Sequence, residues 1–259
     1  MLPYPKFDPI LATVGPVSIR WYGLAYLAGA LLGTHWVSKT LKGIGFTQDD
    51  IVNWMTWIMM GVILGGRVGY IVFYGLAYYL QNLGDMVAVW KGGMSYHGGA
   101  LGALIGTILF ARQHKKPAWV LLDQLGLGST FGIFFGRLAN FINGELVGKI
   151  TNVPWAMIFP HQDLFPRHPS QLYEAFFEGL VLFLILNTLK KRKSLRPGDL
   201  FGHYLIGYGT CRVILEFFRQ PDPQLGLILD NLMTMGQLLS IVMIGCGVAI
   251  LIHKRVQLE

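Results

Sequence analysis

Seven mostly apolar runs of about 20 residues alternate with short polar or basic stretches, at roughly 17–38, 51–77, 94–111, 119–139, 172–189, 200–218 and 233–252. A helix needs about 20 apolar residues to cross the hydrocarbon core of a bilayer. The pattern therefore predicts an all-α, polytopic bundle of about seven transmembrane helices, with the whole chain, 1–259, forming a single domain. The longest connections are 140–171 and 78–96, and loops of that size commonly carry function. Composition agrees: the 259 residues are 53% hydrophobic and 14% charged, with a mean hydropathy of +0.47, outside the usual range for a soluble domain.

The formal net charge of +7 raises the question of nucleic acid, but the basic residues lie in short loops and do not cover one soluble face. Lys39–Lys42, Arg112–Lys116, Lys190–Arg196 and Lys254–Arg255 hold twelve of the 21 Lys and Arg, in alternate loops and the tail. Lys6, Arg20, Lys91, Lys149, Arg167 and Arg219 are spread over longer segments on the opposite side. By the positive-inside rule the N-terminus is outside and the C-terminus cytoplasmic. No cleavable signal is expected, since the first apolar run lacks a basic leader and is followed by lysines. Cys211 and Cys246 lie within apolar runs and read as packing residues.

Three central spans carry glycine at every fourth position: Gly61, Gly65, Gly69; Gly98, Gly102, Gly106; and Gly128, Gly132, Gly136. Such spacing lets helix backbones approach closely where van der Waals packing drives association. Ser170, after Pro169, is the expected N-cap of the fifth span, with Glu174 in its first turn.

Three basic residues remain inside the spans, Arg67, Arg137 and Arg212, and all are arginine. A charge at mid-bilayer costs about 2.5–3.5 kcal/mol on insertion scales, so such residues mark a function or an ion pair. With an outer N-terminus, all three sit in the outer half of their helices. A guanidinium binds two phosphate oxygens at once and stays charged, which suits an anionic lipid headgroup. The competing reading is structural pairing with Glu216, Glu145 or Glu178, and for Arg67 the two readings stand level. Tyr22, His97, Asn140, Asn143 and Tyr208 fall at the same depth; the tyrosines alone would read as an interfacial belt. His97 lies among Gly92, Gly93, Gly98 and Gly99, where glycine permits close approach of a ligand. No HExxH or CxxC spacing indicates a metal, and no Gly-x-Ser-x-Gly elbow indicates a serine hydrolase.

The chain resembles the prolipoprotein diacylglyceryl transferases over nearly its whole length. The segment Gly136-Arg137-Leu138-Ala139-Asn140-Phe141-Ile142-Asn143-Gly144-Glu145-Leu146-Val147-Gly148 is similar to the family signature. Further matches in order are Trp21-Tyr22-Gly23, Gly65-Gly66-Arg67, the His97 segment, Arg167 to Glu174, Gly207-Tyr208-Gly209, Arg212, and Glu216 to Asp222. Departures are small: Ala139 stands where glycine is frequent, Arg20 where histidine is, and the 149–166 loop is short. The resemblance implies a bacterial inner-membrane enzyme, its site facing the periplasm. It would move a diacylglyceryl group from phosphatidylglycerol to the lipobox cysteine of a prolipoprotein signal peptide and release glycerol 1-phosphate. It would need no cofactor.

That chemistry assigns expected roles. His97 takes the thiol proton, Arg137 and Arg212 clamp the departing phosphate, Tyr22, Asn140 and Tyr208 orient the headgroup, and Glu145 and Glu216 hold the arginine forks. Asn143 and Arg67 complete the expected lipid contacts. An organic-anion transporter or receptor, and a phospholipid hydrolase using water, remain open alternatives; the inner halves hold few polar residues apart from Asp123.

Overall fold

The computed structural model describes residues 2–5, 7–15, 17–221, 227–228 and 233–256; Lys6 and Asp222 lie outside the described residues. The helices in chain order are α1 (Trp21–Gly43), α2 (Gln48–Tyr74), α3 (Leu76–Gln81), α4 (Tyr96–Gln113), α5 (Ala118–Asn143), α6 (Ser170–Glu174), α7 (Leu182–Leu189), α8 (Asp199–Leu215) and α9 (Met235–Val256). A π-helical segment, Ala175–Val181, joins α6 to α7 into one run. Each of the seven expected spans coincides with a long helix or with this composite run. Four of them are long and apolar enough by length and composition to cross a membrane: α2, α5, the run Ser170–Leu189, and α9 as far as His253.

Strands are present too, which the all-α expectation did not include. β1 (Ile10–Val14) pairs antiparallel with β2 (Val17–Arg20), β3 (Met157–Ile158) with β4 (Pro166–Arg167), and β5 (Leu227–Ile228) with β6 (Met233–Thr234). The first apolar run therefore changes from strand to helix at Trp21. Ser170 is also not the N-cap expected of it. Pro169 holds that position, and the Ser170 hydroxyl donates to the Leu146 carbonyl at 3.1 Å.

The chain divides into two compact units, Ser38–Leu122 and the remainder, with the boundaries inside α1 and α5. In the Ser38–Leu122 unit, α2 packs on α4 along their glycines. A methyl group on Gly61 or Gly65 would overlap the carbonyl of Gly102 or Gly98, and one on Gly102 the carbonyl of Gly61. Trp54 Nε1 donates to Thr107 Oγ1 at 3.1 Å within this buried seam. Outward, Met59, Leu64 and Phe73 are 60%, 61% and 74% exposed, a surface suited to lipid tails rather than water. Gly102→Ala is expected to destabilise the protein by about 1–3 kcal/mol, because a backbone and not a flexible side chain must yield. Gly132→Ala, whose methyl would meet nothing within 4 Å, should be neutral. Thermal unfolding of the two variants in detergent checks the contrast.

In the other unit, α5 receives α1 at Gly29 and Gly33, whose added methyls would press on Gly132 and Gly128 backbone. The π segment approaches α5 closely at Gly179 against Phe134, and α8 packs on α9. Asp123, the one polar residue noted on an inner half, accepts the backbone N–H groups of Gly198 and Phe201 at 2.7 and 2.8 Å. It thereby caps the first turn of α8, a structural use for a buried carboxylate at a positive helix end.

Candidate active site

The segment that carries the family-like motif is held rigidly. α5 ends at Asn143, and the chain turns through Gly144 and Leu146, both with positive φ, +67° and +56°. Leu146 adopts a conformation that L-residues avoid, and its surroundings pin it there. Gln171 Nε2 donates to the Glu145 carbonyl at 2.6 Å, and the Ser170 hydroxyl holds the Leu146 carbonyl. Gly148 N–H donates to His168 O at 3.0 Å, and Lys149 N–H to Phe218 O at 2.9 Å. A side chain at Gly148 would collide with both of these carbonyl-bearing residues.

Arg167 braces the same turn. Its Nη1 donates to the Gly148 carbonyl at 2.9 Å, while Nε and Nη2 bind the Asp163 carboxylate at 3.1 and 2.5 Å. Hydrogen bonding from Arg167 holds the Asp163 carboxyl below the usual carboxylate range. A depressed folded value means stability that is complete above the unfolded value of about 4 and lost as pH falls through the folded one. Asp163→Asn should therefore unfold at a lower temperature than wild type near neutrality. That gap should close in acid, as melting curves over a pH series would reveal.

Two polar groupings meet around α5. In the first, Asn140 and Asn143 donate their amides to Glu145 Oε1 at 2.8 and 3.4 Å. The Tyr22 hydroxyl lies 3.2 Å from that of Tyr26 and within hydrogen-bond reach of Asn140. Glu145, expected to hold an arginine fork, instead orders two asparagine side chains.

The second grouping is a cluster of three arginines and three glutamates. Arg137 Nε lies 2.7 Å from Glu174 Oε2, with Glu178 Oε2 3.8 Å from Nη2. Arg212 Nη2 lies 2.8 Å from Glu216 Oε2, and its Nη1 is 3.4 Å from Glu174 and 3.9 Å from Glu178. Arg219 Nη1 is 3.7 Å from Glu174 Oε1. Glu174 thus faces all three arginines while being 1% exposed, and Glu178 is fully buried. Glu216 is anchored further by the Thr234 hydroxyl at 2.9 Å. Tyr208, buried against Tyr204, lies within electrostatic reach of Arg137 and Arg212.

Formal charge in this cluster sums to zero, yet the pairing is imperfect. Among the described residues, both carboxylate oxygens of Glu174 and Glu178, Oε2 of Glu216 and Nη1 of Arg212 are buried without an aligned hydrogen bond. The charges compensate one another in ion pairs from 2.7 to 3.9 Å that leave these atoms without aligned hydrogen bonds. Nη1 of Arg212 can donate to a further anion without first losing a strong hydrogen bond. The π segment that carries Glu178 belongs to a class of helix distortion often found at functional sites.

Of the residues singled out by sequence, Arg137, Arg212, Tyr208 and Glu216 therefore converge, and Tyr22, Asn140, Asn143 and Glu145 form the neighbouring network. His97 and Arg67 belong to the Ser38–Leu122 unit. His97 is the second residue of α4, exposed, with its ring edge-on to Tyr96 at 5.6 Å. Arg67 is buried, with its guanidinium turned to backbone carbonyls of the 85–93 segment. Glu174 and Arg219 join the site beyond the expected residues: sequence alone marks Glu174 as a first-turn acid and Arg219 as a loop charge.

A family model described as prolipoprotein diacylglyceryl transferase matches residues 9–253. A phosphatidylglycerol–prolipoprotein diacylglyceryl transferase of Rhodospirillum rubrum is 46% identical over 260 residues, covering 98% of this chain and 94% of the relative. Relatives of the same name from Paramagnetospirillum magneticum and Allorhizobium ampelinum are 47% and 45% identical, covering 96% and 95% of this chain and 94% and 90% of their own lengths. A multi-pass helical architecture, the motif held around α5 and near-complete coverage at this identity agree: the chain belongs to the prolipoprotein diacylglyceryl transferase family.

Proposed function

We propose that this membrane protein transfers the diacylglyceryl group of phosphatidylglycerol to the cysteine thiol of a prolipoprotein lipobox, with Arg137 and Arg212 holding the departing phosphate. A C–S bond forms at the glycerol carbon as its C–O bond to phosphate breaks. The electron pair leaves on glycerol 1-phosphate, and the thiol proton passes to a base. The peptide supplies the nucleophile, so the enzyme needs none of its own, and no cofactor enters.

The observation that carries this reading is the pair of buried arginines that share Glu174 and Glu178, with Nη1 of Arg212 left without an aligned hydrogen bond, set beside Tyr208. Phosphate charge grows from about −1 toward −2 as the ester breaks. Donors that tighten on that charge stabilise the transition state more than the ground state. Glu174, Glu178 and Glu216 keep both arginines in place, and Tyr22, Asn140 and Asn143 contribute the neutral hydrogen bonds that orient the glycerol headgroup. A thiol with an ordinary value near 8.5 is mostly protonated at neutrality, and His97 is assigned its proton on chemical grounds.

The charge asymmetry of the loops supports an outer N-terminus, a cytoplasmic C-terminus and a site in the outer half of a bacterial inner membrane. The whole chain is read as one catalytic domain. Purified protein given acyl-labelled phosphatidylglycerol and a lipobox peptide should yield label on the peptide and glycerol 1-phosphate. Label in free lipid product would identify a hydrolase, and absence of chemistry a carrier.

A further inference from the structure

We propose that Arg67 is a positioning residue for His97, fixing the backbone that leads into α4 and not contacting lipid; the inference rests on the assignment of the thiol proton to His97. Arg67 is 4% exposed, in the middle of the Gly65-Gly66-Arg67-Val68-Gly69 stretch of α2. Its planar fork reaches four carbonyls: Met86 from Nε at 2.9 Å, Asp85 from Nη2 at 2.5 Å, and Gly92 and Gly93 from Nη1 at 2.5 and 3.1 Å. The Tyr79 ring covers the guanidinium carbon at 5.1 Å. These contacts commit the fork to backbone.

The segment so gripped is the one that ends at His97. Gly92 and Gly93 take φ values of +84° and +82°, and a methyl on Gly93 would strike the Tyr70 ring. Two residues on, Ser95 N–H donates to the Gly66 carbonyl at 2.9 Å, and its hydroxyl caps α4 by accepting from Gly98 N–H at 3.2 Å. Gly98 in turn lies against Gly65 and Gly69. Neighbouring residues of α2 therefore hold the approach to α4 through Arg67, its N-cap through Gly66, and its first turn through Gly65 and Gly69. His97 lies between the last two of these anchors. Four carbonyls around one fork take up four of its five coplanar N–H donors, an array that lysine lacks.

The test is a double-mutant cycle with Arg67→Lys and His97→Gln, with Gly93→Ala as a second way of loosening the same segment if Arg67→Lys does not fold. Arg67→Lys should lower kcat about 10- to 100-fold, the scale of a small misplacement of a reacting group, with KM for phosphatidylglycerol within about twofold. The shape of its pH–rate profile should remain that of wild type, because the same base operates. In the His97→Gln background neither Arg67→Lys nor Gly93→Ala should cause a further loss. Losses that multiply onto an impaired His97→Gln enzyme would overturn the positioning role alone. A raised KM at unchanged kcat would overturn it in favour of direct lipid contact. A His97→Gln enzyme with wild-type rates across pH would instead remove the proton-acceptor assignment, and the inference with it.

Discussion

Arg212→Lys is expected to lower kcat for diacylglyceryl transfer by about 10²- to 10³-fold, and Arg137→Lys to do the same. Losses of that size follow when one preorganised donor to a developing oxyanion is removed. Lysine is the informative replacement because it preserves the neutral charge balance with Glu174, Glu178 and Glu216, so that folding is least disturbed. What it removes is the planar fork, which can remain against a carboxylate on one edge and bind phosphate on another. Arg212 has a nitrogen to spare for this: Nη2 is ion-paired with Glu216 at 2.8 Å, whereas Nη1, 3.4 Å from Glu174, has no aligned hydrogen bond. Because the phosphate charge grows during reaction, the loss should fall on kcat and leave KM for the lipid nearly unchanged. Initial rates of label transfer to peptide measure this; wild-type kcat in either variant would refute the clamp.

Glu174→Gln should be the most damaging change among the acids, reducing stability and activity together. Its carboxylate faces Arg137, Arg212 and Arg219 at 2.7, 3.4 and 3.7 Å and is 1% exposed. Removing one partner from a buried ionic group leaves uncompensated charge and costs about 3–5 kcal/mol. Here three arginines would share two carboxylates, and the two assigned to the phosphate would lose their common anchor. Glu178→Gln should cost less, because its arginine contacts are longer, 3.8 and 3.9 Å. Unfolding temperature and transfer rate measured on both variants should give the order Glu174 before Glu178; equal or reversed effects would deny Glu174 its central place.

The long helices were legible because each apolar run is close to the length that a bilayer imposes, a constraint stronger than local propensity, and four of them are long and apolar enough to cross a membrane. The β1–β2 hairpin was not, since Val17–Arg20 adjoins the apolar run of α1 and merges with it on any hydropathy scale. Gly15-Pro16 is a turn signal that marked the break. Within the site, Arg137 and Arg212 stood out by the cost of burying charge, and Glu178 satisfies the same criterion inside the run 172–189. Applied evenly to acids, that criterion would also have lifted Glu174 from its role as a first-turn residue.

Arg219 was hidden for a different reason. It precedes Gln220-Pro221, a pattern of chain exit, yet the turn after α8 folds back and buries it at 6% exposure. The π segment could not be seen at all, because one wider turn inside an apolar helix leaves no mark on the spacing of hydrophobic residues. For Arg67, burial alone allowed either a lipid contact or a brace; only the carbonyls of Asp85, Met86, Gly92 and Gly93 around its fork distinguish them.

The phosphate clamp is tested most directly by a structure of the protein with phosphatidylglycerol bound. Phosphate oxygens are expected within about 2.7–3.1 Å of guanidinium nitrogens of both Arg137 and Arg212, the range of charge-assisted hydrogen bonds, with Glu174 and Glu216 still on the far edges of the forks. A phosphate held elsewhere, with both arginines paired to glutamates alone, would contradict it.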